Sequence, residues 1–324
     1  MNNWSGQGGL QDADAGPGPM NRTQQRSPVH ISVCVCTYKR PLMLKQLISA
    51  LNGQHTGGLF TYSIVIADND EDQSGAAAVA ESRMISSVPL KYCVEPRRSI
   101  ALARNKVIEN ACGDYLALID DDESPAPDWL LTLYKTCEKY QVEGVLGAVL
   151  CHFDETPPAW VEKGGFYKKK IYPTGMRVDW PKARTSNVLL KRHVVAGDNT
   201  PFRPEFRAGE DQDFFRRKIE EGRAFVWCAD AVVFETIPPA RWTRSYLLQK
   251  ALLRGATARL QPTCTPASIV KSTIAVPLYA VALPGALLCG QSCFMRLLVR
   301  LCDHLGKLSM VLGIDPVRGP YVSG

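Results

Sequence analysis

Asp120, Asp121 and Asp122 stand in a row directly after the apolar run 115–119. Two unit charges about 4 Å apart repel by ~4 kcal/mol at an effective dielectric of 20. Three carboxylates at the tip of a buried strand therefore need a cation, protons or full solvation. In a doubly wound sheet, ligands bind in the crevice at the carboxyl ends of the strands. A divalent ion, Mg²⁺ or Mn²⁺, suits that place: it takes one or two protein carboxylates and completes its shell with substrate phosphates. A helix cap supplied by Asp122, Glu123 or Ser124 accounts for one acid and leaves the others unexplained.

The elements that must hold these acids can be read on either side of them. ISVCVCT (31–37) is a short β-branched run, YSIVIADND (62–70) a second strand ending in acids, PLKYCVE (89–95) a third, and DYLALID (114–120) the fourth. Between them lie helical patterns of about a dozen residues, one being SIALARNKVIENACG (99–113), closed by its glycine. APDWLLTLYKTCEKY (126–140) reads as a helix and VEGVLGAVL (142–150) as a fifth strand. This alternation predicts an α/β fold, a mostly parallel central sheet with helices on both faces.

Residues 151–185 carry Pro, Trp, Gly and a YKKK run with little periodicity, as expected of a long irregular insertion. Beyond it, SNVLLKR (186–192) restores a strand and GEDQDFFRRKIEEG (209–222) is a helix that starts on acids. AFVWC (224–228) and AVVFE (231–235) read as two short strands, and TRSYLLQKALLRGATARL (243–260) as a basic amphipathic helix.

The chain of 324 residues has a net charge of +6, all of it in one place. From Ile237 onward there are ten Lys/Arg and two acids, against 28 basic and 30 acidic residues in the rest. Such asymmetry suits a tail that meets an anionic surface. Residues 272–295 are uncharged and long enough to span a bilayer. Pro277 and Pro284 interrupt them, and basic residues flank both ends, which favours a re-entrant or interfacial hairpin over a clean span. Arg296, Arg300, Asp303, His304 and Lys307 then share one helical face, with leucines on the others, the pattern of a helix lying in the membrane plane. The competing reading is a C-terminal helix packed on the main domain. The tail's cations lack the interleaved aromatics of a nucleic-acid platform, so no nucleic-acid partner is expected. The first 28 residues are polar, lack the core of a signal peptide and read as a disordered lead. The 11 cysteines are irregularly spaced without a CxxC pair, consistent with free thiols in a reducing cytosol.

VCVCTYKRP (33–41), IVIADND (64–70), SIALARNKVIENACGDYLALIDDDE (99–123) and GEDQDFFRR (209–217), in this order and spacing over 31–234, resemble the inverting glycosyltransferases of family 2 with a GT-A fold. The likeness is to the bacterial exopolysaccharide (succinoglycan-type) branch. It implies three regions: the lead at 1–28, a GT-A domain at 29–262 and a membrane-associated tail at 263–324. It also implies that Thr37, Tyr38 and Arg40 cradle the nucleotide of a sugar donor, expected to be a UDP-sugar, with Asp68 on the uracil or ribose side and Arg104 nearby. The aspartate triplet implies a metal site at Asp122 and Asp120, with Asp120 and Asp121 also facing the nucleotide. Asp211 would be the general base, supported by Glu210: an acceptor hydroxyl must lose its proton as it attacks, and a positioned carboxylate contributes ~10²–10⁴-fold.

Two departures from the family pattern stand out. Glu235 occupies the position where many relatives have a metal-binding histidine, so it is a candidate substitute ligand or an acceptor-contacting acid. Pro238 stands where the glutamine of a Q-x-x-R-W motif would be, which argues for transfer of a single sugar rather than polymerisation. The expected acceptor is a polyprenyl-diphosphate-linked oligosaccharide met at the cytoplasmic face of a membrane, with Trp160, Phe166, Tyr167 and Trp180 available to stack on sugars. The alternatives are a nucleotidyltransferase, disfavoured because CTYKRP has no glycine-rich phosphate loop, and an inactive membrane-bound scaffold of the same fold.

Overall fold

A computed structural model describes residues 28–317. The expectation of a disordered lead thus falls, apart from Pro28, outside the described residues. Eight strands form one sheet: β1 (Val29–Thr37), β2 (Phe60–Asp68), β3 (Leu90–Val94), β4 (Tyr115–Asp120), β5 (Glu123–Pro125), β6 (Gly144–His152), β7 (Val188–Lys191) and β8 (Phe225–Thr236). Their order is β3-β2-β1-β4-β7-β6-β8-β5. Pairing is parallel from β3 through β4 and between β6 and β8, whereas β7 runs antiparallel to both its neighbours and β5 antiparallel to β8. The two short strands expected at 224–235 are one strand, β8, with a register shift opposite Gly147 and Ala148 that absorbs the break in the apolar pattern.

Helices α1 (Pro41–Asn52), α2 (Ala76–Arg83), α3 (Ile100–Asn110), α4 (Trp129–Tyr140), α5 (Ala159–Gly164) and α6 (Glu210–Glu220) join the strands. Alternate residues of a strand face opposite sides, and β1 feeds two cores accordingly. Ile31, Val33 and Val35 pack with Leu44, Leu47 and Ile48 of α1 and Trp129 of α4. Cys34 points the other way, into a cluster with Val107 of α3 and Phe214 and Phe215 of α6.

The parallel register does the positioning. Thr37 pairs with Asp68 and Cys36 with Asp120, so the ends of β1, β2 and β4 arrive at one edge of the sheet. The antiparallel β5–β8 pairing sets Glu235 opposite Glu123, immediately beside the aspartate turn.

Of the insertion expected at 151–185, the first two residues complete β6; the rest contains α5 and a single 3₁₀ turn at Trp180–Lys182 and is otherwise irregular. Its aromatics hold the loop to the domain. Trp160 meets Phe166 edge-on, Tyr167 packs against Phe153 and donates its hydroxyl to the Arg241 carbonyl, and Trp180 packs on the second core.

The tail is a helical hairpin: α7 (Arg244–Thr257) leads to α8 (Pro266–Leu288) and α9 (Gln291–Val311), the last two joined at Gly290. Pro277 and Pro284 sit inside α8 without ending it. α9 packs on α7 as well as on α8. At the crossing, a Cβ on Gly255 would lie 2.1 Å from the Asp303 carbonyl oxygen, and one on Gly306 2.1 Å from that of Leu252. The charged face expected on α9 is therefore only partly free. Asp303 is paired with Arg254 at 2.8 Å, and His304 hydrogen-bonds Ser272 at 3.0 Å, because close helix packing turns that side toward α7 and α8. Among the described residues α8 alone is long and apolar enough to cross a membrane (mean hydropathy 1.5), and it buries little of itself. Val270, Ile274, Leu278 and Val281 are all more than half exposed. All 11 cysteines are free, four of them buried.

Candidate active site

A cleft of about 390 Å³ opens where the strand ends meet α6 and α7. Of the residues singled out in the sequence, Thr37, Tyr38, Arg40, Arg104, Asp120, Asp121, Asp122, Glu210, Asp211 and Glu235 line it. They come from five places in the chain up to about 200 residues apart, and the fold brings them to one cavity.

On the β1 side, Lys39 takes a left-handed φ of 55°, and Pro41 then starts α1, so the loop Tyr38–Arg40 bends over the strand ends. Thr37 Oγ1 donates to Asp121 Oδ2 at 2.8 Å, and Arg40 Nη1 reaches Asp121 Oδ1 at 3.0 Å and Asp122 Oδ2 at 3.1 Å. Arg241 completes the group, donating from Nη2 to Asp122 Oδ2 at 2.7 Å. Charge-assisted bonds of this kind are the strong ones. They answer part of the repulsion within the triplet. Burial still raises the Asp121 carboxyl to about 6, against the pull of Arg40. Asp120 is the most open of the three, its side chain 40% exposed, with Arg104 at 3.7 Å.

Arg104 links the two acidic corners. It rises from α3, whose start is capped by Ser99 and tied to the end of β2 through Asn69. Its guanidinium forms an ion pair with Glu210 and lies beside Asp120. Burial opposes the charge, but Glu210, Asp120 and Asp211 together hold Arg104 ionised. Asp211 itself has no ion pair among the described residues. Its Oδ1 accepts the Gln212 amide at 2.7 Å. Burial in the cleft wall, then the neighbouring Glu210 charge, raises its carboxyl to about 7.

Asp68 departs from its expected place. It is fully buried, and its oxygens accept from the Gly75 and Asp70 amides and the Tyr92 hydroxyl at 2.7, 3.1 and 2.8 Å. It therefore shapes the turn behind the cleft, and its neighbour Asn69 takes the lining position. Glu235 does line the cleft, but its two oxygens are engaged by Lys169 and Arg241. That arrangement suits a charge-paired anchor better than a metal donor. None of Trp160, Phe166, Tyr167 and Trp180 lines this cavity; they pack the insertion instead.

The cleft also contains residues that the motifs did not single out: Asn69, Arg207, Arg241, Tyr246 and Lys250. Arg241 had a signal, since ARW (240–242) keeps the last two residues of the Q-x-x-R-W pattern. Tyr246 and Lys250 had only helical spacing, four apart on α7, to place them on one side.

A divalent cation fits the donor chemistry in a limited way. Asp120 and Asp122 each use only one carboxylate oxygen toward a cation, leaving the other. No group of three or more acid, histidine or cysteine side chains converges as a closed cage among the described residues. Two carboxylates at an open cleft match a site whose remaining ligands come with the substrate.

The chain matches the family described as "Glycosyl transferase family 2" over residues 32–205. It is 31% identical over 233 residues to the succinoglycan biosynthesis protein ExoM of Rhizobium meliloti (strain 1021), covering 71% of this chain and 74% of that one. It is 28% identical over 149 residues to a glucosyl-dolichyl phosphate glucuronosyltransferase of Haloferax volcanii, covering 44% of this chain and 43% of that one. Among solved structures, the mannosyltransferase PcManGT from Pyrobaculum calidifontis, in complex with GDP-Man and Mn²⁺, superposes with a TM-score of 0.57 at 17% identity, covering 87% of this chain and 88% of that one. S. aureus TarS 1-349 in complex with UDP superposes with a TM-score of 0.51 at 15% identity, covering 90% and 95%. The fold is thus that of the GT-A glycosyltransferases, and the chain belongs to glycosyl transferase family 2 as a glycosyltransferase.

Proposed function

We propose that this glycosyltransferase moves one sugar, with inversion, from a nucleotide-diphosphate sugar to a lipid-linked oligosaccharide acceptor in surface or exopolysaccharide synthesis. The observation that carries the reading is the link Asp120–Arg104–Glu210, which holds the aspartate turn and the start of α6 on one cleft. Thr37, Tyr38 and Arg40 bind the nucleotide, and Asp120 and Asp122 hold a divalent cation. When bound, that cation neutralises charge on the diphosphate. Asp211 takes the proton from the acceptor hydroxyl. Glu210, through its pairing with Arg104, keeps the start of α6 in register with the donor side. Arg241 and Arg40 add positive charge where the diphosphate would develop its own negative charge.

The name of the ExoM relative supports an exopolysaccharide product, and that of the dolichyl-phosphate relative a lipid-linked acceptor. The exposed apolar side of α8 and the basic surplus after Ile237 support attachment to the cytoplasmic face of a membrane by residues 263–324. The test is to incubate the full chain with a panel of nucleotide sugars and Mn²⁺ and to identify what is released. A nucleoside diphosphate is expected from one donor. Pyrophosphate would instead mark a nucleotidyltransferase, and metal-independent binding without turnover a scaffold.

A further inference from the structure

The tail does more than leave the domain: it returns to the catalytic cleft from behind. The loop 205–209 runs directly into Asp211 and contributes Arg207, Ala208 and Gly209 to the cleft wall. Gly209 is left-handed (φ 79°), and α6 begins after it without a side-chain cap. The Gly209 carbonyl, which accepts the Asp213 amide at 3.1 Å as the first bond of α6, also receives the Gln261 side-chain amide at 3.1 Å, from the segment that follows α7. Gln261 is buried, and its Oε1 has no partner among the described residues.

A second grip comes from the far end of the chain. Arg207 donates from Nη2 to Asp315 Oδ1 and from Nη1 to the Val317 carbonyl, both at 2.8 Å, across more than 100 residues of sequence. The two grips are fixed relative to each other. Between them α7 and α9 cross at Gly255 and Gly306 with no room for a side chain, and Arg254 holds Asp303 with both ends of its guanidinium. Arg259 also donates to the Met310 carbonyl.

The geometry points to Gln261 and Asp315 as positioning residues for sugar transfer: through Gly209 and Arg207 they brace the loop that presents Asp211 to the acceptor. The inference rests on the proposed role of Asp211 as general base. It makes the hairpin part of the catalytic apparatus as well as an anchor. A displacement of about 1 Å at a reacting group can cost about 10²-fold in rate. A partial loosening of the loop should therefore appear in kcat while donor affinity persists.

The test uses the full chain and the donor identified by the nucleotide-sugar panel. Asp315 is exposed, so Asp315→Ala should fold; Gln261→Ala is the second variant and Asp315→Glu the conservative rescue. Each alanine variant should lower kcat about 5- to 30-fold with donor KM within about twofold, and Asp315→Glu should recover at least about half of the loss. Unchanged kcat in Asp315→Ala, or a rise in donor KM alone, would overturn the inference. Asp211→Asn, run alongside, separates the two claims. If it retains activity, the base assignment itself fails. If it abolishes activity while Asp315→Ala leaves kcat intact, only the brace fails.

Discussion

The two acidic corners of the cleft are built on opposite electrostatic plans. At the end of β4, Asp121 and Asp122 are met by Thr37, Arg40 and Arg241, so much of their charge is answered inside the protein. At the start of α6, Arg104 pairs directly with Glu210 while also reaching toward Asp120, and Asp211 has no ion pair of its own among the described residues. The difference separates holding charge from moving protons. In the proposed function, the compensated cluster keeps a fixed geometry for a cation and a diphosphate. A carboxyl with no ion pair of its own, raised to about 7 by burial and the Glu210 charge, can exchange a proton near neutral pH.

The sharpest way to break this comparison is to neutralise one corner at a time. Asp211→Asn should lower kcat by ~10²–10⁴-fold while nucleotide binding, followed by calorimetry, is retained. Equal loss of binding would mean that the two corners share one role. Asp120→Asn, or chelation of the metal in the wild type, should show the reverse emphasis. Mn²⁺-dependent nucleotide affinity should fall by roughly 10- to 100-fold, with turnover reduced accordingly. A variant whose affinity still responds fully to Mn²⁺ would remove Asp120 from the metal site.

The pH profile sharpens the contrast. A base with a raised pKa is protonated, and idle, below it, so log kcat should climb with pH up to about 7 and level off above. The Glu210 charge is one cause of that elevation, so Glu210→Gln should move the inflection to lower pH. A profile in the variant that shifts upward would contradict this account. The smallest effect belongs to the tail. Leu278→Asp or Val281→Asp on the exposed side of α8 should reduce co-sedimentation with anionic vesicles several-fold, leaving donor hydrolysis within about twofold. Undiminished vesicle binding would place the membrane contact elsewhere.

How far the site could be read in advance depended on chain separation. Thr37 and Asp120 end strands and Asp122 lies in the turn just beyond, and a short apolar run ending in polar residues announces its own tip. Asp211 opens a helix, and its acidic first turn was equally visible. Asp68 misled because it also ends a strand in an acid, yet its oxygens are consumed by the turn at Gly75. Glu235 was visible as a residue but not as an ion pair, since Lys169 comes from an irregular insertion with no periodicity to place it. The aromatics there looked like sugar platforms, but aromatic rings serve packing equally well, and only the neighbours decide.

Local pattern missed β5 and split β8 in two, but it settled most of the strands and helices and the acids at their ends. These depend on residues a few positions apart, whose spacing fixes which face they occupy. The antiparallel insertion of β7 between β4 and β6, the pairing of Arg40 and Arg241 on one aspartate, and the return of Asp315 to Arg207 were left to tertiary structure. Each joins segments distant in sequence. Which of many possible partners a charge meets is set by the packing of the whole sheet and hairpin, not by any short stretch of chain.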